Sequence, residues 1–306
     1  MLAILCPGQG AQTPGMLSAW LELPGVPEHL AELSEAAGVD LLAHGTVSDA
    51  DTIRDTAVAQ PLIVATGLLS FGALMDGQPG GSPGLVAGHS VGEFTAAAVA
   101  GLLSEHQAIG LVRVRSTGMA QASAATPTGM SAVLGGDPEE VLQGLAALGL
   151  TPANVNGAGQ VVAAGTLDQL AALAADPPAK TRVMPLQVAG AFHTEHMHPA
   201  IGPLADAAAT VTASTPGTPL LSNYDGKPVT DAAAGLNSLV LQVGRPVRWD
   251  LCMQQMIDTG VDALIELAPA GTLVNLAKRA MRGVPSVAVK SPADLEAARA
   301  LLAEHG

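Results

Sequence analysis

Aromatic and charged residues are both scarce in this chain of 306 residues. It contains 3 Phe, 2 Trp and 1 Tyr, so a packed core has to be built mainly from aliphatic side chains and Met. Only 13% of the residues are charged, whereas 48% are hydrophobic. A chain of this length and composition can bury a large core, so we expect a globular protein with one large domain or one domain with an inserted part.

Basic residues are scarce as well. Lys and Arg number 13 against 27 Asp and Glu, which gives a formal net charge of -14. Because the phosphate backbone of nucleic acids attracts proteins of net positive charge, this balance argues against a nucleic-acid partner. An acidic protein partner would have to bind a local basic patch.

Cysteines and long apolar runs are also few. The 2 cysteines, Cys6 and Cys252, cannot make a disulfide framework or a zinc site between them, so we expect a reduced, cytoplasmic protein. The apolar residues 1–5 have no basic lead-in and run into Pro7, which predicts a first buried strand instead of a signal peptide. We find no run that predicts a membrane span, so we expect no membrane partner.

The most informative stretch is Gly88-His89-Ser90-Val91-Gly92, which follows an apolar run and precedes an alanine-rich segment. Gly-x-Ser-x-Gly between a strand and a helix is typical of a tight turn that exposes a serine hydroxyl. The glycines leave room for the turn, and the start of the following helix favours negative charge near Ser90. The pattern also occurs in ordinary turns, but its flanking segments favour a nucleophile. We therefore predict Ser90 as the nucleophile.

Three histidines lie close together at His193, His196 and His198. Their spacing is compatible with metal binding, but no matching cysteine or carboxylate cluster lies elsewhere in the sequence, so we predict no metal site. A general base for Ser90 is the better use of one of them. His193 is the first candidate because it directly follows a predicted inserted unit, at a junction where clefts form. His196 and His198 are the alternatives.

The order of predicted elements indicates an α/β fold in two parts. Residues 127–193 show the order strand-helix-strand-strand-helix-strand, which predicts a ferredoxin-like small subdomain. Residues 1–126 and 194–306 together predict a hydrolase-like large subdomain with a parallel sheet, into which the small one is inserted.

Two further helices bear on the site. A predicted helix over 105–122 carries Arg113 and Arg115, which point to different sides of the helix, so at most one of them faces a common pocket. Another helix is predicted within 57–74, with Pro61 favouring its start.

Taken together, these motifs resemble the family of malonyl-CoA:acyl carrier protein transacylases. The matching segments are 7–12, Gln60-Pro61, 88–93, Arg115 with Met119, 154–165, Phe192-His193, Gln242 with 246–249, and 266–273. They cover nearly the whole chain in the order that the family shows. The resemblance implies an acyltransferase that takes malonyl-CoA as a substrate, needs no cofactor, and delivers the malonyl group to acyl carrier protein in fatty-acid or polyketide synthesis.

The resemblance also implies roles for individual residues. Ser90 would be the nucleophile and His193 its base, oriented by the backbone carbonyl of Gln242 instead of by an aspartate. The backbone N–H groups of Gln9 and Val91 would form the oxyanion hole.

The resemblance also implies that three more residues, Arg115, Met119 and Phe192, bind or select the substrate. Arg115 would bind the free carboxylate of the malonyl group through a forked contact that a lysine cannot copy, and Met119 would lie in the same substrate site. In related polyketide acyltransferases a phenylalanine at the position of Phe192 accompanies malonyl, and a serine accompanies methylmalonyl. A plain core phenylalanine is the alternative interpretation of Phe192.

Acyl carrier protein is acidic, as is this chain, so docking needs a basic patch. The candidates are Lys180, Arg182, Lys278, Arg279 and Arg282. Ordinary solvated charges are the alternative interpretation of these residues.

Two other function classes share parts of these patterns. A serine esterase or thioesterase shares the turn at Ser90 but needs an acidic residue between the serine and the histidine in chain order. Asp137, Asp168 and Asp176 lie there, but all three fall in the predicted inserted unit. A non-catalytic protein that binds the carrier would keep the fold without acylating Ser90.

Overall fold

The computed structural model describes residues 1–77 and 81–306, which form two sheets of five strands each. The strands are β1 (Leu2–Cys6), β2 (Leu85–Gly88), β3 (Thr128–Gly135), β4 (Thr151–Gly157), β5 (Gln160–Thr166), β6 (Thr181–Pro185), β7 (Leu220–Leu221), β8 (Val247–Arg248), β9 (Ala263–Glu266) and β10 (Ser286–Ala288). The helices are α1 (Val26–Ala37), α2 (Leu41–Thr46), α3 (Thr56–Met75), α4 (Gly92–Val99), α5 (Glu105–Ala125), α6 (Pro138–Ala147), α7 (Leu167–Ala175), α8 (Ile201–Ala208), α9 (Ala232–Leu241), α10 (Trp249–Asp258), α11 (Thr272–Ala280) and α12 (Leu295–His305).

The large sheet has the strand order β10-β9-β1-β2-β7, and all of its pairs are parallel. Every residue of β1, β2 and β9 is buried, because helices cover both faces of a parallel sheet and its strands must be apolar throughout. The carboxyl ends of parallel strands meet at one edge. The loops after β1, β2 and β7 are therefore neighbours, although they lie far apart in the chain.

The small sheet has the order β6-β3-β5-β4-β8. Its first four strands pair antiparallel, and α6 and α7 connect them, which is the ferredoxin-like unit that the sequence predicts. The fifth strand, β8, comes from the C-terminal part of the chain and pairs parallel with β4, with Asn154 opposite Val247. The two parts of the molecule thus share this sheet, although the inserted unit supplies most of it.

Helix α3 differs from its prediction in two ways. It begins at Thr56, where the carboxylate of Asp55 accepts the N–H of Ala57, so Pro61 lies inside the helix and does not start it. It is also 20 residues long with a mean hydropathy of 1.7, enough to cross a membrane by length and composition. The expectation that no run meets this test is therefore wrong. In this fold 72% of the tested window is buried inside the protein, as in the core helices of globular proteins.

Candidate active site

Ser90 lies on a sharp turn between β2 and α4. Its φ of 54° is left-handed, a conformation that non-glycine residues adopt at an energetic cost. The turn leaves no space for side chains on either side. A Cβ on Gly88 would lie 2.1 Å from the carbonyl carbon of Gly92, and one on Gly92 would lie 2.1 Å from the carbonyl oxygen of Cys6. Close backbone packing therefore requires both glycines of the motif, Gly88 against the first turn of α4 and Gly92 against the end of β1.

The side chain of His193 contacts Ser90 directly. Its Nε2 lies 2.7 Å from Ser90 Oγ, and its Nδ1 lies 2.9 Å from the backbone oxygen of Gln242. Because a carbonyl oxygen can only accept, Nδ1 carries the hydrogen and Nε2 is left to accept the proton of the hydroxyl. Burial, helped by the charge of Arg115, lowers the pKa of His193 to about 3. The imidazole is therefore neutral at physiological pH, as a general base must be.

The segment that carries His193 links the two sheets. His193 itself has a left-handed φ of 60°. The N–H of Ala191 donates to Thr128 Oγ1 at 3.0 Å, and the hydroxyl of Thr194 donates to the oxygen of Ala191 at 2.7 Å. These bonds fix the loop against the start of β3. His193 is thus held at the junction of the two subdomains.

The neighbouring histidines are placed differently. His196 is half-buried and His198 is exposed, and neither is hydrogen-bonded to Ser90. Across residues 1–77 and 81–306, no three His, Cys, Asp or Glu side chains are grouped so that they could hold a metal ion.

Arg115 reaches the same site from α5 and is completely buried. Its Nη1 donates to Gln60 Oε1 at 2.6 Å, and its Nη2 donates to Gln242 Oε1 at 2.8 Å. Nη2 also lies 3.3 Å from Ser90 Oγ. Arg113, two residues earlier, is exposed, so only one of the two arginines faces the site, as the helical spacing predicts.

The surroundings of Arg115 leave its charge without a direct counter-ion. Within the described ranges it forms no ion pair, and its buried Nε has no hydrogen-bond partner. Burial lowers the pKa of Arg115 to about 10, against the opposing effect of Glu93, so the guanidinium stays charged at neutral pH. Because a buried charge among neutral ligands is costly, the arrangement favours a bound carboxylate beside Ser90.

Comparison with known proteins assigns the chain to a family. Residues 4–297 match the acyl transferase domain family. The chain is 55% identical to the malonyl CoA-acyl carrier protein transacylase of Mycobacterium tuberculosis over 297 residues, which is 97% of this chain and 98% of that protein. The chain belongs to the malonyl CoA-acyl carrier protein transacylase family.

Solved transacylase structures share the fold. The crystal structure of MCAT from Mycobacterium tuberculosis matches with a TM-score of 0.92 and 54% identity, over 97% of this chain and 99% of that one. A second structure, of PlMCAT in complex with the type II PKS acyl carrier protein AntF, matches with a TM-score of 0.90 and 31% identity, over 98% and 99% of the two chains. The transacylase fold thus extends over nearly the whole molecule, which confirms the predicted family and fold class.

Asn223 belongs to the same site of this transacylase, although no sequence pattern marks it. The residue follows β7, and its side-chain Oδ1 accepts the N–H of Ser90 at 2.8 Å, while its Nδ2 donates to the oxygen of Gly88 at 2.6 Å. The sequence shows only a short Ser-Asn turn after a strand. Its role depends on the pairing of β7 with β2, which no local pattern reveals.

Glu93 and the side chain of Gln242 were also missed as site groups. Glu93 is buried on the first turn of α4 and accepts the backbone N–H of Asn223 at 2.7 Å. The Nε2 of Gln242 donates to Glu93 Oε2 and, at 2.9 Å, to the backbone oxygen of Ser90. Burial raises the pKa of Glu93 to about 7. The family motif contains this glutamate and could have drawn attention to it.

Two of the remaining predicted site residues, Gln9 and Met119, contact Gln60. Its Nε2 lies 3.4 Å from Gln9 Oε1 and 3.6 Å from the sulfur of Met119. The backbone N–H groups of Gln9 and Val91 donate to no group in the described part of the chain. Phe192 is 6% exposed and packs in the main apolar core.

The five candidate docking residues are all exposed but form two groups. Lys180 and Arg182 lie at β6, which is one edge of the small sheet. Lys278, Arg279 and Arg282 lie at the end of α11, which packs against β4 toward the opposite edge. Arg279 also lines a cavity of about 460 Å³ together with residues of the loop that follows β1.

Proposed function

We propose that this transacylase moves a malonyl group from malonyl-CoA to the phosphopantetheine thiol of acyl carrier protein, by way of an ester on Ser90. The observation that carries the proposal is the buried, charged guanidinium of Arg115, whose Nη2 lies 3.3 Å from Ser90 Oγ without a carboxylate partner. A thioester with a free carboxylate fits both groups at once. The names of the relatives support the same substrate and acceptor.

In the first half-reaction, Ser90 is acylated. His193 Nε2 takes the hydroxyl proton as Ser90 Oγ attacks the thioester carbonyl. The N–H groups of Gln9 and Val91 stabilise the oxyanion. The carbon–sulfur bond then breaks, and the CoA thiolate leaves with the proton that His193 holds.

In the second half-reaction, the carrier thiol replaces CoA in the site. It gives its proton to His193 while its sulfur attacks the ester carbonyl, and the oxygen of Ser90 leaves with that proton. The malonyl carboxylate stays on Arg115 through both steps. Fixed between Gln60 and Gln242, the guanidinium keeps the ester in one orientation for the incoming thiol.

The basic residues at the end of α11 are the better docking surface for acyl carrier protein. They are Lys278, Arg279 and Arg282. The cavity that Arg279 lines also contains Gly10 and Ala11, which directly follow Gln9. A carrier bound there would have a short path for its pantetheine arm to the site. Lys180 and Arg182, across the small sheet, would contribute less. We continue to predict a cytoplasmic location and the absence of a cofactor. We also still predict that Phe192 favours malonyl as the substrate.

Intact-protein mass spectrometry after mixing with malonyl-CoA tests the proposal. The wild-type chain should gain the mass of one malonyl group, and acyl carrier protein should then remove it. Ser90→Ala should gain nothing, because removing a catalytic serine lowers kcat by a factor on the order of 10⁶. A wild-type chain that binds carrier protein but never gains the mass would be a non-catalytic homologue. A Ser90→Ala variant that still gains it would place the nucleophile elsewhere.

A further inference from the structure

Two side-chain amides hold the Ser90 peptide from opposite sides. Asn223 Oδ1 accepts its N–H at 2.8 Å, and Gln242 Nε2 donates to its carbonyl oxygen at 2.9 Å. Ser90 adopts a left-handed φ, a conformation that persists only where the surroundings hold it in place. The backbone N–H of Glu93 also donates to the carbonyl oxygen of Ser90, at 3.0 Å, so the two side-chain amides and the first turn of α4 together set the position of the hydroxyl.

Asn223, through its backbone N–H, and Gln242, through its side-chain amide, are both hydrogen-bonded to one buried carboxylate. Glu93 Oε1 accepts the backbone N–H of Asn223 at 2.7 Å, and Oε2 accepts Nε2 of Gln242. Only 4% of Glu93 is exposed. We propose that Glu93 is a positioning residue for acyl transfer, whose carboxylate fixes Asn223 and Gln242 and through them the Ser90 peptide. This inference rests on the proposed role of Ser90 as the nucleophile.

The side chain at position 93 has to accept a hydrogen bond because of the way the Gln242 amide is bonded. Its amide oxygen accepts from Arg115 and its amide nitrogen donates to Glu93, so the guanidinium and the carboxylate together set which way the amide points. The same residue accepts the Nδ1 hydrogen of His193 through its backbone oxygen. Glu93 thus acts on the nucleophile, the base and the carboxylate-binding arginine through Asn223 and Gln242, which are the groups that its carboxylate binds.

A glutamine at position 93 cannot replace the carboxylate. The ionised carboxylate only accepts, and it meets one donor at each oxygen. Gln has one acceptor oxygen and an NH₂ group that only donates. Whichever way it turned, either the Asn223 N–H or the Gln242 amide nitrogen would face a donor and lose its bond. Glu93→Gln should therefore break the hydrogen bond to either Asn223 or Gln242 while keeping the size of the side chain.

If Glu93 only stabilised the fold, its titration would not change the acylation rate. The pH dependence of that rate therefore distinguishes a positioning role from a purely structural one. Arg115 from α5 and Cys252 from α10 are the titratable groups that are electrostatically coupled to it, and His193 is joined to it through Gln242. Burial raises the pKa of Glu93 to about 7, whereas His193 has its pKa lowered to about 3. A fall in the acylation rate below pH 7 would therefore report Glu93, and Glu93→Gln imitates its protonated form.

The test measures the rate at which Ser90 gains malonyl in a single turnover, by rapid quench and mass spectrometry, across neutral pH. The wild-type rate should fall toward acid pH with a midpoint near 7. Glu93→Gln should be about 10- to 100-fold slower at alkaline pH, as expected for a lost hydrogen bond to a charged group, and should show no acid limb. The acylation rate of Asn223→Ala should also be low, but it should still fall toward acid pH, because Glu93 still titrates in this variant.

Glu139→Gln is the matched control. Glu139 lies in the first turn of α6, as Glu93 does in α4, but it is exposed and far from the site, so its rate and pH profile should equal those of the wild type. Wild-type rate and acid limb in Glu93→Gln would overturn the inference and leave the malonyl-serine ester standing. If Glu93→Gln does not fold, an Asn223→Ala variant with wild-type rate overturns it instead. A wild-type chain that forms no ester would overturn both proposals.

Discussion

The carboxyl edge of the large sheet and the interior of the inserted unit bury different kinds of side chain. At the edge, polar groups are buried against one another; they are Gln60, Glu93, Arg115, His193, Asn223 and Gln242. In the inserted unit, the core between the small sheet and its helices is apolar; it includes Val133, Val141, Leu145, Leu150 and Leu173. The chemistry is therefore concentrated where parallel strands end, and the inserted unit provides the other wall of the site.

One of the side-chain contacts between the two regions lies next to Ser90. His89, immediately before Ser90, lies 2.9 Å through its Nε2 from Oδ1 of Asn156 on β4. The ring of Trp249 packs edge-on against His89, with 5.6 Å between the ring centroids. Because the apolar core of the inserted unit contains none of the buried polar groups of the site, changes in that core should affect stability much more than the chemical step. Variants in each region can test that division.

The largest effect should come from removing the base. His193→Ala leaves the hydroxyl of Ser90 without a proton acceptor, so acylation by malonyl-CoA should slow by about 10²- to 10⁴-fold. Single-turnover acylation kinetics measure this directly. His198→Ala, on the exposed side of the same segment, should behave as the wild type. A near-normal rate in His193→Ala would show that the base is wrong and would make His196 and His198 the next candidates.

Arg115→Ala should have the next largest effect. Losing the partner of a buried carboxylate should lower kcat/KM for malonyl-CoA by about 10²- to 10³-fold. Acyl-CoA substrates without a free carboxylate should lose less, because Arg115 acts on them only through the Gln242 amide, and Arg113→Ala, exposed on the same helix, should lose nothing. Steady-state kinetics with malonyl-CoA and acetyl-CoA separate these outcomes. Equal, small effects on both substrates would instead favour the esterase interpretation.

Leu145→Ala should have the smallest effect on activity. Leu145 is fully buried in the core of the inserted unit, so truncation should lower the free energy of unfolding by about 2–5 kcal/mol. The acylation rate of the folded protein should stay within a factor of about two, because the side chain lies outside the polar edge. Denaturant unfolding and single-turnover kinetics on the same sample compare the two. A large loss of rate in the folded variant would contradict the division between the regions.

Local patterns predict much of this fold. Alternating strand and helix signals over 127–193 predict the inserted unit, and its antiparallel pairs follow the predicted order. The range 57–74 predicts α3 to within one residue at each end, but Pro61 does not start the helix, because the cap at Asp55 sets its first turn. Strand β8 was missed because its two residues pair with β4 only after the two parts of the chain come together.

By itself, the amino-acid sequence determined the turn at Ser90, because its constraint is steric and lies within a few residues: a Cβ on Gly88 or Gly92 would collide with backbone. The local sequence likewise determined the helix that carries Arg115. Only the tertiary structure decided what holds Ser90 in place. Asn223 and Gln242 contact the Ser90 peptide from 133 and 152 residues away, and the parallel order β1-β2-β7 and the turn after α9 bring them there. Such contacts depend on which strand ends are neighbours, and no local spacing encodes that.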